Sequence, residues 1–100
     1  MRQGTTPTHE FQIPFSASEI RQVMIVYTQG DKEILCKNTE EVTIGEKTVS
    51  VTLTQEETFL FDHKQNVRIQ IRVLTHVGDA LSSNIITVDV EECLNCEVLR

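Results

Sequence analysis

The sequence predicts an all-β fold, a small β-sandwich of about seven strands, on three observations. Apolar residues alternate with polar ones along most of the chain, the period of a half-buried strand. Turn chemistry returns about every ten residues, the spacing of short antiparallel strands. No stretch keeps a helical period long enough for a helix of consequence. A five- or six-stranded barrel is the alternative with the same local pattern.

HEFQIPF places Phe11, Ile13 and Phe15 on one face, with His9 at the start of that face. QVMIVYT is apolar on both faces, with Val23, Ile25 and Tyr27 on one and Met24 and Val26 on the other. That pattern suits a central strand covered on both sides, or one at an interface. KEILCK offers Ile34 and Cys36 on one face and Leu35 on the other, and EVTIG offers Val42 and Ile44. TVSVTLT turns Val49, Val51 and Leu53 inward. NVRIQIRVL has the cleanest alternation, Val67, Ile69, Ile71 and Val73 against Arg68, Gln70 and Arg72. NIITVDVEE sets Ile86, Val88 and Val90 against Thr87, Asp89 and Glu91. The β-branched content of these runs agrees with the pattern.

The separators are turns. Gln29-Gly30-Asp31, Ile44-Gly45-Glu46-Lys47 and Val77-Gly78-Asp79 each carry a glycine, expected to supply positive φ. Ser16-Ala17-Ser18-Glu19 and Thr54-Gln55-Glu56-Glu57 fit the capping box and predict single helical turns, the second crossing between sheets.

A chain of 100 residues is one domain with a core of its own. We read residues 1–92 as the sandwich and residues 93–100 as a C-terminal tail. The net charge of −6 and dispersed basic residues argue against nucleic acid as a partner. No segment is apolar enough for a membrane span, so no membrane partner is expected. The start lacks the apolar run of a secretory signal, so the chain is expected to be made and folded in the cytoplasm. Three cysteines are unremarkable there.

Cys93 and Cys96 are spaced like half of a zinc site, but no second close pair exists among Cys36, His9, His63 and His76. Glu91, Glu92 and Glu97 surround the pair and work against a reactive thiol. No cofactor or metal is therefore expected. His63 or His76 with Asp62, Asp79 and Ser82 or Ser83 carries no catalytic motif, and no enzyme activity is expected. Asp62, Asp79, Glu56 and Glu57 lack calcium-loop spacing. The residues expected to make contacts are Met24 and Val26 on the second apolar face of their strand, with the long-side-chain row Arg68, Gln70 and Arg72. A small sandwich covers one face of each sheet, so the other face of QVMIVYT needs a cover. The tail residues Leu94, Val98 and Leu99 are one expected cover. A second copy or a neighbouring protein is the other.

Residues 49–90, VSVTLTQEETFLF through VRIQIRVLTHVGDALSSNIITVDV, resemble the small immunoglobulin-like modules of tailed-phage structural proteins. The nearest type is the N-terminal module of baseplate upper proteins. The connector of that type matches Leu53, Thr54 and Thr58, its turn Gly78 and Asp79, and its closing strand Ile86, Val88 and Val90. The opening GTTPTHEFQIPF is similar to short prophage reading frames. The antibody-type Trp and inter-sheet disulfide are absent, so any likeness to immunoglobulins is architectural. The resemblance implies a non-enzymatic structural or interaction protein of a phage or prophage virion, in its tail or baseplate region. Its partners would be its own copies or other virion proteins. The alternative is a cytoplasmic bacterial binding or regulatory module using Cys93 and Cys96 with metal.

Overall fold

The computed structural model describes residues 1–100 as two facing antiparallel sheets, a small all-β sandwich. The strands are β1 (Thr8–Gln12), β2 (Ile20–Gln29), β3 (Lys32–Asn38), β4 (Thr43–Gly45), β5 (Thr48–Thr52), β6 (Val67–Thr75), β7 (Ala80–Ser82) and β8 (Ile86–Val88). One sheet has the order β1-β5-β4. The other has the order β3-β2-β6-β7, with β8 also paired to β6.

The predicted alternation decides what lies between the sheets. Val67, Ile69, Ile71 and Val73 are buried in one cluster with Val49, Val51 and Leu53. Val23, Ile25 and Tyr27 of β2 join them with no exposed surface. β2 lies inside its sheet, with β3 on one side and β6 on the other, but its second apolar face, with Met24 and Val26, is left partly open to solvent.

Both predicted helical turns form. Ala17–Glu19 is a 3-10 turn whose Glu19 carboxylate accepts the Ser16 N–H at 2.9 Å. α1 (Gln55–Thr58) carries a full capping box on Thr54 and takes the chain from β5 in one sheet towards β6 in the other. A third such turn, Thr39–Glu41, is capped by Asn38 and was not expected.

Four sequence expectations need correction. The final run, 84–92, forms only the short strand β8, and the connection before it holds a further strand, β7. β7 and β8 lie along the same edge of β6, where β6 advances three residues (Arg72 to Ile69) while its neighbour advances four (Ser82 to Ile86). The extra residue is a bulge, pinned by Ser83 N–H donating to the Ile71 carbonyl at 2.9 Å and Gln70 Nε2 donating to the Ser83 carbonyl at 2.9 Å. Ile86 is 45% exposed although it faces inward, whereas Val90, beyond the strand, is buried. Second, Ile34 is the extra residue of a bulge between β2 and β3 and packs against the core, while Cys36 pairs with Val26 on the outer side, so the two do not share a face. Third, the β4–β5 turn places positive φ on Lys47 (59°), not on Gly45. Gly45 is needed for another reason: a Cβ there would lie 2.7 Å from Thr48 Oγ1.

Fourth, the tail does not cover the outer side of β2. Gln55 clamps it beside α1, accepting the Leu99 N–H and donating to the Leu99 carbonyl, each at 2.9 Å. Leu94 stays 97% exposed.

Candidate interaction face

The outer face of the larger sheet gathers every residue expected to make contacts. Strand register builds it row by row. Met24 stands between Asn38 and Arg72, and Arg72 beside Ser82. Val26 stands between Cys36 and Gln70. Thr28 stands between Glu33 and Arg68, and Arg68 beside Thr87. Met24, Val26, Thr28 and Gln70 are half-buried, whereas Arg68 and Arg72 are exposed. Both β2 and β6 have strands on either side, and the long arginine side chains reach beyond the shorter Met24, Val26, Thr28 and Gln70 into solvent.

The charge on this face is unbalanced. Neither Arg68 nor Arg72 takes part in an ion pair; the pairs that form involve Arg2, Lys37, His63 and Arg100. Glu33 is the one carboxylate among the strand-paired residues of the face, and it lies two strands away from Arg68, about 10 Å at the usual strand spacing. Two shallow grooves cross the face, one lined by Met24, Arg72, Leu74 and Leu81, the other by Val26, Arg68, Gln70 and Ile85. Their volumes, about 160 and 180 Å³, fall short of the roughly 300 Å³ at which small-molecule pockets begin. The face suits a broad, flat contact.

The opposite face of the same strands holds a polar cluster that sequence reasoning missed. Lys37 occupies a core-facing position of β3, opposite Ile25, and is only 7% exposed. Its ammonium pairs closely with the Glu57 carboxylate of α1 and lies 3.6 Å from Glu41. Burial works to raise the Glu57 carboxyl. The hydrogen bonds from Lys37 and Thr54, with the Lys37 charge, outweigh it and hold the carboxyl below its usual range. His9 Nδ1 and the Tyr27 hydroxyl share a hydrogen bond of 2.7 Å. Burial, then the N-terminal ammonium, push His9 down, and burial, then Glu57, push the Tyr27 phenol up. The signal was present in the sequence: alternation from Leu35 puts Lys37 on the inward side.

The remaining polar candidates are dispersed. His63 and Asp62 precede β6, while His76, Asp79 and Ser82 follow it, roughly 26 Å away along the strand. His63 lies 3.9 Å from Glu92, and Asp62 accepts the Lys64 N–H in its own loop. The Ser83 hydroxyl donates to the Asn84 carbonyl and accepts the Ile71 N–H. Cys93 Sγ bonds the Asn95 carbonyl at 3.3 Å, and no group of three or more His, Cys, Asp or Glu side chains is placed to hold a metal. No helix is long and apolar enough to cross a membrane.

In comparison with known proteins, the chain matches no family model, no curated protein and no solved structure.

Proposed function

We propose that this chain is a non-enzymatic interaction protein of a phage or prophage virion, acting through the outer face of its larger sheet. One observation carries the contact surface: Arg68 and Arg72 stand without carboxylate partners beside half-buried Met24 and Val26, on a protein whose net charge is −6. Two cations left unpaired on a flat, partly apolar surface fit an acidic partner. Another copy of the chain is acidic enough to be that partner, provided that its carboxylate-bearing surface, and not the same face, meets Arg68 and Arg72.

The immunoglobulin-like reading of the sandwich draws support from strand order. One sheet runs β1-β5-β4 and the other β3-β2-β6-β7, which follows the immunoglobulin scheme with β1, β5 and β4 in the places of strands B, E and D. The virion assignment rests on the resemblance of residues 49–90.

Sedimentation velocity over a concentration series, with Met24→Glu beside the parent, tests the contact surface. The parent should associate, the variant should shift towards monomer, and added salt should weaken the parent's association. A parent that stays monomeric at high micromolar concentration, indistinguishable from Met24→Glu, removes the proposal. Mass spectrometry of particles purified from the encoding host tests the virion assignment, which does not survive absence of the chain from them.

A further inference from the structure

The free edges of the larger sheet are unlike each other. β3 carries Lys32, Glu33 and Lys37, which discourage an added strand. The β7–β8 edge carries no charge from Ala80 to Val88. It exposes apolar side chains instead: Leu81 is 38% exposed, Ile85 47% and Ile86 45%. The opposing sheet has three strands against five, and inward-directed Leu81 and Ile86 keep much of their surface in water.

The backbone of this edge is also unsatisfied. β7 and β8 pair only with β6. Ser83 N–H reaches the Ile71 carbonyl, and antiparallel strands alternate between residues that bond the neighbour and residues that face away. Alternation therefore turns the N–H and C=O groups of Ala80, Ser82 and Thr87 outward, and none of them has another partner in the chain. Unpaired, uncharged and apolar, this is the edge that a further strand fits.

We propose that the β7–β8 edge is a seam where two copies of this chain pair antiparallel, joining their larger sheets into one. The inference rests on the reading of the chain as a contact-making module and adds to its outer face a second surface that joins copies. Charge selects the occupant. A second copy also carries net charge −6, so edge-to-edge pairing of copies is favoured where neither edge presents a carboxylate. The segment 80–88 brings no carboxylate to the seam, and Arg68 and Arg72 sit on the adjoining strand. Antiparallel edge pairing is also self-complementary about a two-fold axis, so each copy satisfies the outward groups of the other. The bulge at Ser83–Ile85 divides the seam into two short runs.

Hydrogen exchange followed by NMR across a concentration series tests the seam directly. The Ser82 and Thr87 amides should exchange freely in dilute protein and become protected as concentration rises. Sedimentation then compares Ser82→Pro, which removes an outward N–H, and Leu81→Lys, which places a charge on the edge, with Met24→Glu on the face. Either edge variant should weaken association by about tenfold or more, since each change is felt twice across a two-fold. Circular dichroism confirms that each variant is folded, and the parent's exchange data stand even where one is not. Amides that stay unprotected at every concentration overturn the seam. Association lost with Met24→Glu but kept with both edge variants also overturns it, while leaving the face as the contact surface. A seam that forms only with added peptides from other proteins, and never between copies, overturns the choice of occupant.

Discussion

β2 and β6 each present one face to the core and one to the outside, and the two faces obey different physics. Inward, Val23, Ile25 and Tyr27 meet Val73, Ile71 and Ile69 across the ladder, and none of the six is more than 3% exposed. Outward, one residue along the same backbone, Met24, Val26 and Thr28 meet Arg72, Gln70 and Arg68. The inner face is held by packing and fixes the fold. The outer face adds little to the fold, which frees its residues for contacts.

Substitution of adjacent residues on β6 breaks that comparison most sharply. Ile71→Ala should lower stability by about 3 kcal/mol, as buried isoleucine truncations do. Arg72→Ala, one position on and exposed without an ion pair, should stay within about 0.5 kcal/mol. Urea melts in dilute protein read both values. Equal costs at the two positions would mean that the outer face is structural.

The inner face was legible in the sequence because it depends on period alone. Val67, Ile69, Ile71 and Val73 alternate without interruption, and a slip of one residue would expose them all. The gathering of Met24, Val26, Arg68, Gln70 and Arg72 on one outer face followed from the same alternation once β2 and β6 paired. What alternation could not supply was any place where the count changes. The bulges at Ile34 and at Ser83–Ile85 shift the register by one residue, and no local residue type announces them. β7 was missed for that reason, and with it the uncharged edge. The inward place of Lys37 could be read by alternation from Leu35, but its partner could not: Glu57 is twenty positions away, and a long-range ion pair leaves no mark on local pattern.

The inner side also carries a charged pair, Lys37 with Glu57, and acid should expose it. Glu57→Gln leaves the buried Lys37 ammonium with only Glu41 nearby, and the cost should be about 2 kcal/mol, below that of a fully enclosed pair because Glu57 keeps 20% of its side-chain surface. For this region the pH dependence follows in sign from two of the depressed groups, Asp62 lying outside it. His9 titrates lower in the folded chain than its ordinary 6.5, and Glu57 lower than its ordinary 4.5. In each case the unfolded chain binds the proton first as pH falls, so stability is full above the ordinary value and declines below it. The Tm should begin to drop below about pH 6.5 and drop further below about 4.5. His9→Phe should abolish the first decline and Glu57→Gln the second. A Tm that rises between pH 6.5 and 5 in the parent would contradict the burial of His9.

The smallest effect belongs to the segment that lies on neither face. Cys93 and Cys96 sit beyond the last strand, Cys93 half-buried and Cys96 exposed. What holds this segment is polar and mostly main-chain. Cys93 N–H donates to Gln3 Oε1 at 3.2 Å, and the Gln55 amide grips both backbone groups of Leu99. The thiols contribute one weak bond, Cys93 Sγ to the Asn95 carbonyl. A serine hydroxyl can make the same bond, so the double variant Cys93→Ser, Cys96→Ser should change stability by no more than about 0.5 kcal/mol. A tetrahedral metal site would need two further ligands, and no His, Cys, Asp or Glu group of three or more is assembled within the chain. A site built from the tail pairs of two copies would behave otherwise, because metal binding energy becomes folding and association energy. Metal analysis of protein purified without chelator, beside thermal melts of the double variant, separates these outcomes. Zinc near one per chain or one per two chains, with a large loss of stability in the double variant, would make the tail a metal-bridged contact and move the centre of association away from the outer face.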